Sequence, residues 1–154
     1  MTTRGIEQLK KAGVRFESLP YRHEARGAKP VAEALGLPEE IVIKSIVLQA
    51  DDCTFLMALM GGDGNVSEKK LARVSEQKRV STAAPRDAER ITGYQIGGIG
   101  PFGLRRTLPV FLDEATAQHD EIVINAGARG TMIRLSMVDL IRLTGAVVAD
   151  IRIE

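Results

Sequence analysis

The chain has 154 residues, of which 44% are apolar and 27% charged, a balance typical of a soluble globular protein with room for one hydrophobic core. Its formal net charge of +1 supplies no global field to draw it onto a polyanion or a membrane, so a nucleic-acid partner has to be met by a local basic patch. The lone cysteine, Cys53, excludes an internal disulfide, no apolar run reaches membrane-spanning length, and Met1-Thr2-Thr3-Arg4-Gly5 lacks the apolar core of a signal peptide. Together these predict a reducing, cytoplasmic setting.

In chain order, Ile6 and Leu9 predict a short amphipathic helix closed by Gly13, where a left-handed residue is wanted. Residues 14–19 alternate apolar and polar, the mark of a half-buried strand. Within Pro20-Tyr21-Arg22-His23-Glu24, Tyr21 and His23 could line a pocket, although a lone histidine is more often a solvated surface residue. Pro30 is placed to open a helix that runs to a stop at Gly36.

Residues 41–48 form an apolar strand that carries one ammonium, Lys44, at its centre. A turn at residues 50–52 and the apolar run 53–60 complete a hairpin whose second strand is central in a sheet. A lysine against apolar walls is costly, so Lys44 either snorkels to the sheet edge or serves a ligand. Ser67 is a plausible N-cap for a helix carrying Lys69, Lys70 and Arg73, whose basic side is either a solvated face or a contact for phosphate. Residues 80–82 read as a short strand, and Pro85 opens a helix that ends at Gly93.

Residues 92–103, Thr-Gly-Tyr-Gln-Ile-Gly-Gly-Ile-Gly-Pro-Phe-Gly, hold five glycines and a proline. Such a stretch is either an ordinary glycine-rich hairpin connection or a shaped backbone surface whose N–H groups can donate to an anion or a developing oxyanion. It lacks the spacing of a nucleotide fingerprint. Arg105 and Arg106 follow it. Pro109 argues that residues 108–113 are an edge strand or a strand start. Residues 121–125 and 131–135 form a hairpin around Ala126-Gly127-Ala128-Arg129-Gly130. Ser136 and Asp139 make a capping-box-like start to a helix stopped at Gly145, and an apolar run at 146–151 closes the chain. Strands outnumber helices and several are joined by hairpins. The expected architecture is therefore mixed α/β, a mixed, barrel-like β-sheet with peripheral helices, over residues 1–154 as a single domain.

The chemistry is narrow. The two histidines, His23 and His119, lie far apart and one cysteine makes no zinc site, so neither a metal nor a cofactor is expected. No nucleophile elbow or Cys/His signature is present. A glycine loop, a strand lysine and scattered hydroxyls suit a reaction in which the protein positions and polarises while water or the substrate supplies the attacking group.

Residues 19–23 (Leu-Pro-Tyr-Arg-His), 42–46 (Val-Ile-Lys-Ser-Ile), 92–94 with 97–103, and 126–130 (Ala-Gly-Ala-Arg-Gly) carry a resemblance that runs nearly end to end. The sequence is similar to the YbaK family of free-standing prolyl-tRNA editing domains, which also occur as an inserted domain of bacterial prolyl-tRNA synthetases. The resemblance implies a barrel-like α/β fold and hydrolysis of the ester of a mischarged tRNA, with Cys-tRNA(Pro) the first expectation. Ala- or Ser-tRNA, another small acyl ester, and a non-catalytic module that holds aminoacyl-tRNA or a synthetase are the alternatives. It implies that Lys44 lies near the 3′-terminal aminoacyl-adenosine, that Tyr21 lines the pocket, and that Gly97, Gly98, Ile99, Gly100, Pro101, Phe102 and Gly103 form the substrate-binding loop. Gly100 stands where many members have Ser or Thr, and Met132 where cysteine-editing members have Asp. The expected partners are mischarged tRNA, met through Lys69, Lys70, Arg73, Arg105 and Arg106, and prolyl-tRNA synthetase; no membrane and no metal are expected.

Overall fold

Small residues and prolines punctuate this chain, and the elements between them are short. A computed structural model describes residues 2–22 and 27–154; His23, weighed above as a pocket residue, lies outside them. Among the described residues are helices α1 (Arg4–Lys11), α2 (Ala28–Leu35), α3 (Glu68–Val74), α4 (Pro85–Thr92) and α5 (Met137–Thr144), and strands β1 (Glu17–Pro20), β2 (Ile43–Ala50), β3 (Phe55–Gly61), β4 (Val80–Thr82), β5 (Val110–Asp113), β6 (Glu121–Asn125), β7 (Thr131–Ser136) and β8 (Val147–Ala149). Helices this short are marginal alone, so caps and burial decide them. The hydroxyls of Thr3, Ser67 and Ser136 accept from the N–H groups of Ile6, Lys70 and Asp139 and so start α1, α3 and α5. Gly36, Gly93 and Gly145, all left-handed, stop α2, α4 and α5.

The strands form two sheets, ordered β1-β7-β6 and β4-β2-β3-β5-β8. The expected hairpins are present: β2 runs antiparallel to β3 with Lys44 opposite Met60, and β6 runs antiparallel to β7 with Asn125 opposite Met132. An isolated parallel bridge between Val42 and Val123 joins the sheets at one corner. The mixed α/β class is as read from the sequence; the strands wrap as two sheets, and no closed barrel is found among the described residues. No described helix is long and apolar enough to cross a membrane.

β3 organises the packing. Every one of its residues is buried. Phe55, Met57 and Leu59 face a core shared with Leu112, Ile122, Ile124 and Ile133, while Leu56, Ala58 and Met60 face a second cluster with Leu71 and Ile151. Each fully buried Leu or Met contributes about 1.5–3 kcal/mol, which explains why a run apolar on both faces sits centrally. Three expectations shift. The strand after α1 begins at Glu17 because the Val14 N–H folds back onto the Leu9 carbonyl. Pro30 is the third residue of α2, after Ala28 and Lys29. Pro109 marks a strand start: β5 lies between β3 and β8, and Pro109, just before it, uses only its carbonyl, which accepts from Met57 N–H. The glycine stretch joins α4 to β5 and is not a hairpin connection.

Candidate functional site

A cavity of about 290 Å³ opens where the corner of β2, the start of α2, the glycine loop and the β6–β7 hairpin meet, near the lower end of small-ligand pockets. Val31, Val42, Ile99 and Met132 line it with Tyr21, Ala28 and Gly97, and Lys44, Ser45, Asn125 and Arg129 are its polar groups. The corner exists because β2 changes partners. β4 pairs only with residues 48–50 of β2 and β6 is bridged to this stretch only at Val42, so the edge between them is left without a neighbouring strand among the described residues.

Lys44 is half-buried on that open stretch. Its Nζ donates to the Gly64 carbonyl and, at 3.3 Å, to Asn65 Oδ1. Both acceptors are neutral, so the ammonium is placed without being neutralised. Burial pulls its pKa below the ordinary lysine value; Glu39 and Asp63 oppose that pull, and Arg152 adds to it. The side chain both reaches the 61–65 turn and lines the cavity. Beside it, the Ser45 hydroxyl is buried with no hydrogen-bond partner among the described residues, an unmet polar group in the cavity wall.

The glycine loop is an ordered piece of packing. Gly103 N–H donates to Gln8 Oε1 at 2.6 Å, and Tyr94 Oη lies 2.5 Å from the Phe102 carbonyl and 3.1 Å from that of Gly103. On the other side Gly127 N–H donates to the Gly98 carbonyl at 3.0 Å, and Arg129 Nε to Ile96 O at 2.7 Å. The loop is thus clamped between α1 and the 126–130 turn. A Cβ on Gly100 would lie 1.8 Å from the Asn125 carbonyl oxygen, and one on Gly103, at φ +60°, 2.4 Å from the Arg4 carbonyl carbon. Glycine at these positions permits close approach of backbone to backbone. Of the seven loop residues expected to bind substrate, Gly97 and Ile99 line the cavity; their N–H groups carry no hydrogen bond among the described residues. Gly98, Gly100, Pro101, Phe102 and Gly103 stand behind that wall, with Phe102 wholly buried in the main core.

The other expected residues divide. Tyr21, anchored by its N–H on Gly130 O at 2.9 Å, lines the cavity with Lys44 and Met132. Met132 is 2% exposed, packed with Val31, Val42 and Val123. The basic set does not converge on this cavity. Lys70 is paired with Asp150 at 2.9 Å and Glu154 at 3.5 Å; Lys69 and Arg73 are exposed on α3. Arg105 lies over Gly93, and Arg106 lines a separate depression with Cys53, Ser75 and Gln77. The cation that lines the cavity besides Lys44 is Arg129, exposed in the 126–130 turn. It stands in a turn noted for its glycines, and nothing in its spacing signals that its guanidinium folds back over Gly97.

Behind Lys44 the 61–65 turn is strapped by the end of the chain. Arg152 binds Asp63 (Nη1 to Oδ2, 2.9 Å) and the 1%-exposed Asp113 (Nε to Oδ2, 3.0 Å), while Ile153 N–H donates to Asn65 O at 2.9 Å and Ser67 N–H to Ile151 O at 2.7 Å.

Residues 23–143 match the family model described as the aminoacyl-tRNA editing domain. A protein of Enterococcus faecalis, provisionally named the Cys-tRNA(Pro)/Cys-tRNA(Cys) deacylase EbsC, is 31% identical over 148 residues, covering 96% of this chain and 90% of that one. A proline–tRNA ligase of Trichlorobacter lovleyi is 35% identical over 125 residues, which are 75% of this chain and 22% of the ligase. A crystal structure provisionally assigned as a trans-editing enzyme for prolyl tRNA synthetase superposes with a TM-score of 0.89 at 25% identity, covering 100% of this chain and 99% of its own.

Proposed function

The chain belongs to the aminoacyl-tRNA editing domain family, and from that premise we propose that it is a free-standing deacylase that hydrolyses the ester of a mischarged tRNA, with Cys-tRNA(Pro) as first substrate. One observation carries the reading: a small, largely apolar cavity holds a half-buried ammonium on neutral acceptors and is lined by two loop residues, Gly97 and Ile99, whose N–H groups are unbonded among the described residues. An aminoacyl ester is already activated. It needs orientation, a water and a stabiliser for the oxyanion. In this scheme the amino-acid side chain enters between Tyr21, Val31 and Met132, and the 3′-terminal adenosine lies toward Lys44. Water adds to the carbonyl carbon while the loop N–H groups and the Lys44 ammonium take up the developing negative charge. The carbonyl carbon to O3′ bond then breaks, O3′ receives one proton of the attacking water, the other passes to solvent, and the free amino acid leaves as a carboxylate. Specificity rests on cavity size and polarity, where one methylene is worth about 1–3 kcal/mol.

The proline tRNA enters the proposal through the ligase and trans-editing relatives, and with it a working association with prolyl-tRNA synthetase in the cytoplasm. tRNA is met by exposed cations: Lys69, Arg73, Arg105 and Arg106 from the sequence reading, with Arg129 on the cavity lining. Lys70, held by two carboxylates, contributes least. The deciding experiment is hydrolysis of a panel of labelled tRNAs, cysteinyl-, alanyl- and seryl-tRNA(Pro) against prolyl-tRNA(Pro), by wild type and Lys44→Ala. Loss of cysteinyl-tRNA(Pro), abolished in Lys44→Ala, is the expected result. Binding without turnover of any member would instead identify a holding module, and near-normal turnover by Lys44→Ala would remove the lysine from the reaction. Charge reversal at Arg105 and Arg106 should weaken tRNA binding and flatten its salt dependence; no change in either would place the tRNA elsewhere.

A further inference from the structure

We propose that Arg152 is a positioning residue for Lys44: by holding Asp63 in a clamp shared with Asp113, it keeps that carboxylate from closing on the lysine ammonium. The inference rests on the reading of Lys44 given above. Its basis is a charge arrangement that would otherwise collapse. Asp63 is the neighbour in sequence of Gly64, whose carbonyl accepts from Lys44, yet among the described residues Asp63 pairs with Arg152 and not with Lys44. One guanidinium fork spans both carboxylates, Nη1 and Nη2 on Asp63 at 2.9 and 3.4 Å and Nε on Asp113 at 3.0 Å, with Nη2 also 3.4 Å from Thr116 Oγ1. A planar, five-donor group can make that span; a single ammonium cannot.

The fork also lies flat on the turn. A Cβ on Gly64 would be 2.6 Å from Arg152 Cζ, so a single peptide unit separates the guanidinium from the oxygen that receives Lys44. The turn is held from behind through the bridge of Val66 to Arg152 and the hydrogen bond from Ile153. Its front then presents Gly64 O and Asn65 Oδ1 to the ammonium. The charged or titratable groups that bear on this corner are Glu39 from the 3₁₀ turn at Glu39–Ile41, Asp63, Arg152, and His119, which acts on Asp63. Of these, Asp63 is the one whose release would convert a charge-preserving site into a neutralised ion pair.

The test reads Lys44 directly. Acetylation of its amine by acetic anhydride, followed across alkaline pH by peptide mass spectrometry, reports the fraction of neutral lysine, and single-turnover deacylation with thermal unfolding is measured on the same proteins. Arg152→Lys keeps a cation on buried Asp113 and frees Asp63, so the chain stays folded. Lys44 should then acetylate about tenfold more slowly at a given pH and the deacylation rate constant should fall by a similar factor. Asp63→Asn alone removes a carboxylate that helps keep the lysine charged, so it should not slow acetylation or deacylation, and Arg152→Lys with Asp63→Asn should bring both back to the level of Asp63→Asn alone. Unchanged Lys44 reactivity in Arg152→Lys overturns the proposal, as does a double variant that fails to recover, which would mark Arg152 as structural only. If reactivity falls and recovers as described while deacylation is level in all variants, the clamp stands and the part assigned to Lys44 in the reaction does not.

Discussion

Gly100→Ala is the sharpest perturbation available in the glycine loop, because nothing but space forbids it. Gly100 is not among the left-handed glycines, so alanine pays no conformational penalty there. Its Cβ would, however, lie 1.8 Å from the Asn125 carbonyl oxygen, and ordinary contact begins at 3.4 Å. The loop and the 125–130 turn must therefore part by about 1.6 Å. That separation strains the bond from Gly127 N–H to Gly98 O and the one from Arg129 Nε to Ile96 O. Overpacking of this kind costs about 3 kcal/mol, the upper end of its usual range, which for a chain of this size lowers Tm by about 6–12 °C. The same movement separates Gly97 and Ile99 from Asn125 and Met132 across the cavity. Displacement of about 1 Å in a positioning wall can cost about 100-fold in rate. Circular dichroism melting and single-turnover deacylation of a labelled mischarged tRNA measure the two effects. Gly13→Ala is the control: its φ is +68° with nothing within 4 Å, so it should lose about 1–2 kcal/mol of stability from conformation alone and no activity. A Gly100→Ala protein that melts within about 2 °C of wild type and deacylates normally would refute the argument that this wall is fixed by backbone contact.

Three further outcomes follow from the same geometry. Met132→Asp should raise the deacylation of cysteinyl-, alanyl- and seryl-tRNA alike, about tenfold, if a charge-assisted bond to the substrate ammonium worth roughly 1.5 kcal/mol is gained, and should lower Tm because the new carboxylate is buried among Val31, Val42 and Val123; unmoved rates would mean that residue 132 does not meet the substrate ammonium. Tyr94→Phe leaves the Phe102 and Gly103 carbonyls without their shared donor and should cost about 1–3 kcal/mol in denaturant unfolding, against a negligible change if the hydroxyl is idle. Burial lowers the Lys44 pKa in the folded chain, so the unfolded chain binds more protons between that value and the ordinary lysine value. Stability contributed at this position therefore rises with pH through that alkaline window, while deacylation that uses the ammonium falls; Lys44→Met should remove the stability rise, and wild-type and variant curves that stay parallel in pH would contradict the desolvation of this lysine.

Most element boundaries could be read from the residues because they depend on local chemistry: a hydroxyl at Ser67 or Ser136, a left-handed glycine at Gly36, Gly93 or Gly145, an apolar run such as 55–60. Lys44 also stood out, as a charge that an apolar strand does not need. What escaped depends on approach from elsewhere. Glycines at 98, 100 and 103 signal that something comes close, but not whether it is a ligand or another stretch of backbone; here Ala128, Asn125 and Arg4 come close. Lys70 read as a phosphate contact because its carboxylate partners lie 80 and more residues downstream. Arg129 and Ser45 stand within the motifs that carry the resemblance but nothing singles them out, since a turn arginine and a strand serine are ordinary until the open edge of β2 places them on one cavity.

Residues far apart in the chain brace the surroundings of the site: the Thr3 hydroxyl bonds the Ala126 carbonyl in the turn that clamps the glycine loop, and Arg152 braces the turn that receives Lys44. For a polypeptide emerging from the ribosome this sets an order of events. When Met132 has been added, every side chain that lines the cavity has been synthesised, yet the strap behind Gly64 still lies some 20 residues in the future, about one to four seconds at ordinary elongation rates. Until then Asp63 has no arginine to hold it, and the nascent corner lacks the charge arrangement of the finished one. Contacts that join residue 3 to 126 and 63 to 152 also make closure of the fold a late, long-range event.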